Sequence, residues 1–251
     1  MRQLFNSKII NGSPDYLIIE EIGELKGTHE FEQLIAETMK FVVNKNIKKV
    51  SIVLNNQEAL NTSYLEYLEK RGFFQHEIQY FYYRNLEQLH ISNELDSISL
   101  SSLKWNDEYL FKKIWEQSMV YSLNAPSQTT IERQFEGMKS EIGNNYKGNC
   151  LTISKNNIPI GVTIPHIEQG KLDEGRIFYF GLLPEYRGKG LGRLIHKKSL
   201  QYLKQLKAGY YIGSTGHKNH IMQNVFKDNN CKFFDERITY QFLGNTADKK
   251  K

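Results

Sequence analysis

Residues 176–214 hold a strand, a glycine-rich loop, a helix and a second strand, and this order limits the fold of the chain most. Residues 176–183 are mostly hydrophobic, and residues 191–207 carry apolar side chains at helical spacing. A strand at 210–214 follows that helix, so we expect the two strands to pair in parallel through a right-handed crossover. The sequence therefore predicts an α/β protein with a mixed sheet.

The same order of elements occurs earlier in the chain. Strands predicted at 16–22 and 50–54 enclose a glycine-containing turn at 23–27 and a helix at 29–44. A helix at 63–70 and a strand at 78–83 complete this first block. We predict a partial, degenerate copy of the fold at 1–93, a complete domain at 94–245 and a flexible tail at 246–251.

The remaining elements of the second block also follow from periodicity and turn signals. Their apolar residues alternate in the strands and recur every three to four positions in the helices. The predicted strands are 97–103, 150–154, 158–164 and, as one or two strands, 233–242. The predicted helices are 131–142, 219–227 and one that Asn106 or Asp107 can cap and that runs to about Tyr121.

The composition is that of an ordinary globular protein, with 39% hydrophobic and 24% charged residues. The net charge of +5 suits an anionic small ligand, but the cations are spread along the chain and do not predict nucleic-acid binding. Cys150 and Cys231 lack metal-site spacing. Because neither a signal peptide nor a membrane span is apparent, we expect a cytoplasmic protein without a metal, nucleic-acid or membrane partner.

The loop Arg187–Gly192 has the chemistry of a phosphate site. Its alternating glycines allow the backbone to approach a ligand closely, and successive N–H groups can point into one concavity. The following helix begins inside the loop, so its N-terminal dipole also favours an anion. We expect a pyrophosphate here, with positive charge added at the rim by Arg187, Lys189 and Arg193.

Two other phosphate-binding motifs do not fit this loop. A Walker loop requires Lys followed by Ser or Thr after its last glycine, where this chain has Arg193 and Leu194. A dinucleotide loop has the spacing G-x-G-x-x-G and an acidic residue after the next strand, and residues 210–214 supply none. A glycine-rich turn without a ligand is the remaining simple alternative.

The stretch Leu182–Gly192, LLPEYRGKGLG, resembles the acyl-CoA signature R/Q-x-x-G-x-G/A of the GNAT superfamily of N-acyltransferases. Arg187, Gly190 and Gly192 stand at its defining positions, and the order of elements from Ser97 to Phe242 resembles the whole GNAT fold, so we expect a GNAT-like fold. The resemblance implies that the loop amides hold the pyrophosphate of acetyl-CoA or another acyl-CoA. It assigns these residues to cofactor binding: Gly181, Leu182, Leu183, Arg187, Gly188, Lys189, Gly190, Leu191, Gly192, Arg193, Asn219 and Phe226.

The catalytic groups are less well defined by the resemblance. The Leu182 N–H would stabilise charge on the thioester oxygen. Where many relatives have a Tyr that protonates the leaving thiolate, this chain has Phe226. Tyr179 and His217 are candidates for proton transfer, although each can also be an ordinary structural residue. Further candidates of the same kind are His166 and Glu168. Where some relatives have a Glu as the base, this chain has Arg176 and Tyr179 with Glu174 just before them, so the resemblance carries over no carboxylate.

Other parts of the chain show the family pattern in incomplete form. In the first block, Leu68–Phe73 resembles the end of the family's later helix, whereas Gly23–Gly27 lacks the loop motif, so we expect one cofactor per chain. The acceptor pocket implied by the resemblance is aromatic and polar, without an acidic cluster for a polyamine. Its residues would be Trp115, Met119, Tyr121, Asn124 and the segment near Gln128.

Three functions follow as hypotheses. The first is an acetyl-CoA-dependent N-acetyltransferase that acts on an amine of a small molecule or peptide, as a monomer or homodimer. The second is a non-catalytic acyl-CoA-binding regulatory module, suggested by Phe226 and the degenerate first block. The third is a tandem GNAT aminoacyl transferase that uses charged tRNA and would not require the intact loop.

Overall fold

The computed structural model describes residues 7–23, 25–90, 97–123 and 130–244. The chain divides into two compact units, the first of residues 1–80 with 235–251 and the second of residues 81–234. The boundary predicted between residues 93 and 94 lies in 91–96, outside the described residues, and stays a prediction. The tail predicted at 246–251 lies outside them as well.

The predicted elements are present with small shifts at their ends. The helix at 131–142 matches its prediction, while the short strand β1 and the four-residue helix α5 were not predicted. The strands are β1 (Lys8–Gly12), β2 (Tyr16–Glu20), β3 (Lys49–Asn55), β4 (Phe74–Asn85), β5 (Ile98–Ser102), β6 (Leu151–Lys155), β7 (Ile158–Ile167), β8 (Glu174–Leu182), β9 (Tyr210–Gly216) and β10 (Lys232–Leu243). The α-helices are α1 (Thr28–Lys45), α2 (Thr62–Lys70), α3 (Glu108–Met119), α4 (Ile131–Ile142), α5 (Tyr146–Asn149), α6 (Leu191–Gln205) and α7 (His220–Asp228).

In the first unit, the strands are ordered β1-β2-β3-β10. β2 and β3 pair in parallel on either side of α1, as predicted from the strand-helix-strand order, and the other two pairs are antiparallel. The apolar faces of α1 and α2 meet in this unit, where the rings of Phe31 and Tyr64 stack with centroids 4.0 Å apart. This arrangement gives the unit its own hydrophobic core.

In the second unit, to which residues 81–85 of β4 belong, the strands are ordered β4-β9-β8-β7-β6-β5. Strands β5 to β8 pair antiparallel with their neighbours, whereas β8 and β9 pair in parallel. Helices α3 and α4 cover a core in which Trp115 lies against Phe111, Phe135 and Tyr179. The prediction of a mixed sheet is confirmed. No helix of the described ranges is long and apolar enough to cross a membrane.

Candidate functional site

A cleft of about 480 Å³ opens at the carboxyl end of β8 in the second unit. Its walls are formed by the loop Arg187–Gly192 (the phosphate loop), the first turn of α6, one side of α7 and the segment after α3. It brings together most of the residues that the sequence assigns to cofactor binding. Those that line it are Gly181, Leu182, Arg187, Gly188, Gly190, Leu191, Gly192, Arg193 and Asn219.

A gap lies beside β8 because the parallel strands β8 and β9 separate. Their register pairs Glu174 with Tyr210 and Gly175 with Tyr211, whereas β8 continues to Leu182. The Leu183 N–H donates to the Ile160 carbonyl on β7 at 2.8 Å. Since N–H groups alternate between the two edges of a strand, the neighbouring Leu182 N–H is directed away from β7, toward the gap.

The phosphate loop presents open backbone to the cleft. Gly188 and Gly190 have φ values of 71° and 72°, in the left-handed region that other residues avoid. A Cβ at either position would meet nothing within 4 Å. Gly190 is also the N-cap of α6 and provides no side chain to cap the first N–H groups of that helix. The open cradle and the helix N-terminus together suit a pyrophosphate.

The guanidinium of Arg187 is directed toward the protein backbone. Its Nε donates to the Leu182 carbonyl at 2.9 Å, its Nη1 to the Val120 carbonyl at 2.7 Å and its Nη2 to the Ser118 carbonyl at 2.9 Å. Ser118 and Val120 lie at the C-terminal end of α3, where carbonyls lack helical partners and a cation is favourable. Arg187 therefore joins the phosphate loop to the end of α3.

The other two cations, Lys189 in the loop and Arg193 just after it, are exposed to solvent. Arg193 lies in the first turn of α6 and lines the cleft. The Lys189 Nζ lies 5.6 Å from the centroid of the Tyr186 ring, within cation–π distance. Arg193 is thus the better placed of the two to add positive charge to the cleft.

Two residues of the α7 region have different environments. Asn219 lines the cleft, and its Oδ1 accepts a hydrogen bond from the Met222 N–H at 3.1 Å, which caps α7. Phe226 is only 1% exposed and is not part of the cleft lining. Its ring lies 4.7 Å from Tyr82 and 5.4 Å from His196, centroid to centroid, so Phe226 belongs to the hydrophobic core.

The structure also places Tyr179 in the core. Its hydroxyl donates to the Ser118 carbonyl at 2.9 Å, beside the bond from Arg187. Burial raises the pKa of Tyr179, so the phenol stays protonated. A Cβ at Gly181 would come within 2.5 Å of this hydroxyl, which explains the glycine there. Tyr179 thus supports the end of α3 and does not line the cleft.

The remaining candidates for proton transfer lie outside the cleft lining. His217 is half-buried, and its carbonyl accepts a hydrogen bond from the Gln223 side chain at 2.7 Å. His166 is 1% exposed, and burial lowers its pKa although the Glu168 carboxylate, 3.6 Å away, opposes this. Glu174 forms a 2.6 Å ion pair with Arg176.

The predicted acceptor pocket is only partly assembled in the described structure. Trp115 is buried in the core, Met119 packs against that core, and Tyr121 lines the cleft. Asn124 and Gln128 lie outside the described residues. Within the described ranges, no group of three or more His, Cys, Asp or Glu side chains could hold a metal ion.

Sequence reasoning missed one wall of the cleft. Ile221, Asn224, Val225 and Asp228 of α7 all line it. Their spacing of three, four and seven residues places them on one face of the helix, so the signal was present in the sequence. Asn224 and Asp228 are polar, which hides this face from a search for apolar periodicity.

The comparisons with known proteins bear on the family and the fold. Residues 109–230 match the model of the acetyltransferase (GNAT) family. Over these residues, the resemblance to the GNAT family predicted from the loop is confirmed. No curated protein sequence matches the chain.

Solved structures show the same fold over nearly the whole chain. A GCN5-related N-acetyltransferase from Sphaerobacter thermophilus has a TM-score of 0.70 at 13% identity, over 94% of this chain and 76% of its own. A protein of unknown function from Staphylococcus epidermidis has a TM-score of 0.65 at 12% identity, over 96% of both chains. A tandem GNAT protein from the clavulanic acid biosynthesis pathway has a TM-score of 0.62 at 13% identity, over 96% of this chain and 79% of its own. The predicted GNAT-like fold is confirmed.

Proposed function

We propose that this protein is an N-acyltransferase that moves an acetyl group from acetyl-CoA to an amine of a small molecule or peptide. The observation that carries the proposal is the cleft itself, in which an uncapped helix N-terminus and two left-handed glycines lie beside the gap between β8 and β9. The GNAT family match of residues 109–230 supports acyl transfer in general.

The positions of the backbone N–H groups support a particular placement of the donor. The pyrophosphate would bind the amides of Gly188 to Gly192 at the start of α6. The pantetheine arm would lie in the gap between the two strands. The thioester carbonyl would then accept a hydrogen bond from the Leu182 N–H, which stabilises negative charge as the amine attacks.

Proton transfer in this proposal relies little on a strong base. Among the described residues that line the cleft, the ionisable side chains are Tyr121, Tyr186, Arg187, Arg193 and Asp228. Asp228 is an exposed carboxylate at the end of α7, and we expect solvent to accept a proton as well. We expect much of the rate to come from holding a neutral amine next to the thioester.

Release of free CoA thiol in the presence of a panel of amines tests the proposal. Cys150 and Cys231 are buried, and burial raises the pKa of each to about 12, so the folded protein adds little background to a thiol reagent. We expect acetyl-CoA-dependent thiol release with at least one amine.

Calorimetric titration with acetyl-CoA separates the ways in which this test can fail. Binding without thiol release across amines and acyl groups would favour the regulatory acyl-CoA-binding module. Absence of binding at millimolar acetyl-CoA would refute both functions and leave the loop as a turn without a ligand.

A further inference from the structure

The segment after α3 holds a bulky residue in a turn position that normally requires glycine. Val120 has φ −58° and ψ 123°, Tyr121 has φ 55°, and the Ser122 N–H donates to the Met119 carbonyl at 3.0 Å. These values define a type II β-turn with Tyr121 at the third position. An aromatic L-residue adopts this left-handed conformation reluctantly, so surrounding contacts must hold it there.

Arg187 provides such contacts just before the turn and within it. Its Nη2 binds the Ser118 carbonyl and its Nη1 the Val120 carbonyl, the residue immediately before Tyr121. Its Nε binds the Leu182 carbonyl at the end of β8. One planar guanidinium therefore fixes three carbonyls relative to one another, which the single nitrogen of a lysine cannot do.

The held residues lie in the cleft. Tyr121 is 94% exposed and lines the cleft together with Leu182, whose N–H is directed toward the gap. A strained, exposed aromatic residue at a binding cleft is typical of a functional contact. The positive charge of Arg187, meanwhile, is placed at the carbonyl end of α3, where it already has partners.

We propose that Arg187 is a positioning residue, which acts on the reaction through Leu182 and Tyr121 and not through the pyrophosphate. Its fork sets the distance between the thioester site and the cleft wall that the turn forms. This inference rests on the proposed acyl transfer, and it assigns the motif arginine a role that is independent of the donor's phosphates.

An acyl donor that lacks the pyrophosphate distinguishes a positioning role of Arg187 from a direct contact with the pyrophosphate. We would compare kcat/KM for acetyl-CoA and for S-acetylpantetheine in the wild type, Arg187→Gln, Arg187→Lys and Arg193→Gln. We expect Arg187→Gln to lose roughly 10- to 100-fold with both donors, so that the ratio of the two values stays within about twofold of wild type. Arg187→Lys restores the charge but not the fork, and we expect no rescue.

Arg193→Gln is the comparator because Arg193 is an exposed cation of the same cleft. In Arg193→Gln we expect kcat/KM to decrease mainly for acetyl-CoA. The ratio of kcat/KM for acetyl-CoA to kcat/KM for S-acetylpantetheine therefore decreases. The proposal is overturned if Arg187→Gln lowers kcat/KM for acetyl-CoA but not for S-acetylpantetheine. It is also overturned if Arg187→Lys has the kcat/KM of the wild type. Both results would indicate a direct contact between Arg187 and the pyrophosphate.

A stability measurement tests the same contacts without any turnover. Glycine adopts the conformation of Tyr121 without strain, so in a Tyr121→Gly background the turn depends less on Arg187. We expect Arg187→Gln to raise the unfolding equilibrium constant about tenfold less in that background than in the wild type, measured by urea denaturation. Equal effects in both backgrounds would overturn the positioning role, whereas coupling without thiol release from any amine would refute the proposed acyl transfer instead.

Discussion

Replacing Gly190 by alanine places one methyl group in the phosphate cradle. Gly190 has φ 72°, and a Cβ there would meet nothing within 4 Å, so the substitution costs stability only through backbone strain. An L-residue in the left-handed region costs about 1–2 kcal/mol, which is the loss expected in the free energy of unfolding. We also expect the added methyl to hold the proposed pyrophosphate away from the loop amides.

The expected loss of a hydrogen bond to the pyrophosphate is a larger effect than backbone strain alone, and it is specific to this loop. Losing one charge-assisted hydrogen bond costs about 1.5–3 kcal/mol, which corresponds to a roughly 10- to 100-fold weaker Kd for acetyl-CoA. Gly170 supplies the matched control, because it is exposed, has φ 78° and likewise has open space at its Cβ position. Gly170→Ala carries the same strain in the turn between β7 and β8.

Urea denaturation measures the stability of the two variants, and calorimetric titration measures their affinity for acetyl-CoA. We expect similar losses of stability in Gly190→Ala and Gly170→Ala, and a weaker acetyl-CoA Kd only in Gly190→Ala. Unchanged affinity in Gly190→Ala, or an equal loss in Gly170→Ala, would refute the assignment of this loop to the pyrophosphate.

Three further predictions concern buried groups. Tyr179→Phe removes the bond to Ser118 and should lower the free energy of unfolding by about 1 kcal/mol, while kcat at saturating substrate changes less than threefold; a loss of 100-fold or more would make the phenol catalytic. Phe226→Tyr should destabilise the core by about 1–3 kcal/mol without raising kcat, and a faster enzyme would contradict the core assignment. Burial lowers the pKa of His196 from 6.5 to about 3, so the folded state binds fewer protons, and stability should fall by up to about 1.4 kcal/mol per pH unit as the pH drops from 6.5 toward 3. Urea denaturation across this pH range should show that the free energy of unfolding changes less with pH in His196→Phe than in the wild type. The same pH dependence in both proteins would refute the prediction.

The fold was largely predictable because its signals are local. The helix at 131–142 and the parallel pairs around α1 and α6 follow from apolar periodicity and from the order of strand and helix. What periodicity cannot supply is long-range pairing. β10 pairs with β3 in register from Arg237–Asn55 to Leu243–Lys49, about 190 residues apart in sequence, and no spacing rule indicates that partner.

The backbone of the candidate site was more predictable than its side chains. Glycine spacing specifies where N–H groups can face a ligand, and Gly188 and Gly190 have the left-handed conformation that this requires. The same motif does not predict the direction of a long side chain. Arg187 turns to three carbonyls and Phe226 to a buried aromatic cluster, because the end of α3 and the ring of Tyr82 are tertiary neighbours that no motif records.

A crystal structure with bound acetyl-CoA tests the central claim most directly. The proposed site predicts pyrophosphate oxygens about 2.7–3.2 Å from the backbone nitrogens of Gly188 to Gly192, and a thioester carbonyl at the Leu182 N–H. It also predicts that Arg187 keeps its bonds to Ser118, Val120 and Leu182. A pyrophosphate bound elsewhere on the protein would contradict the account.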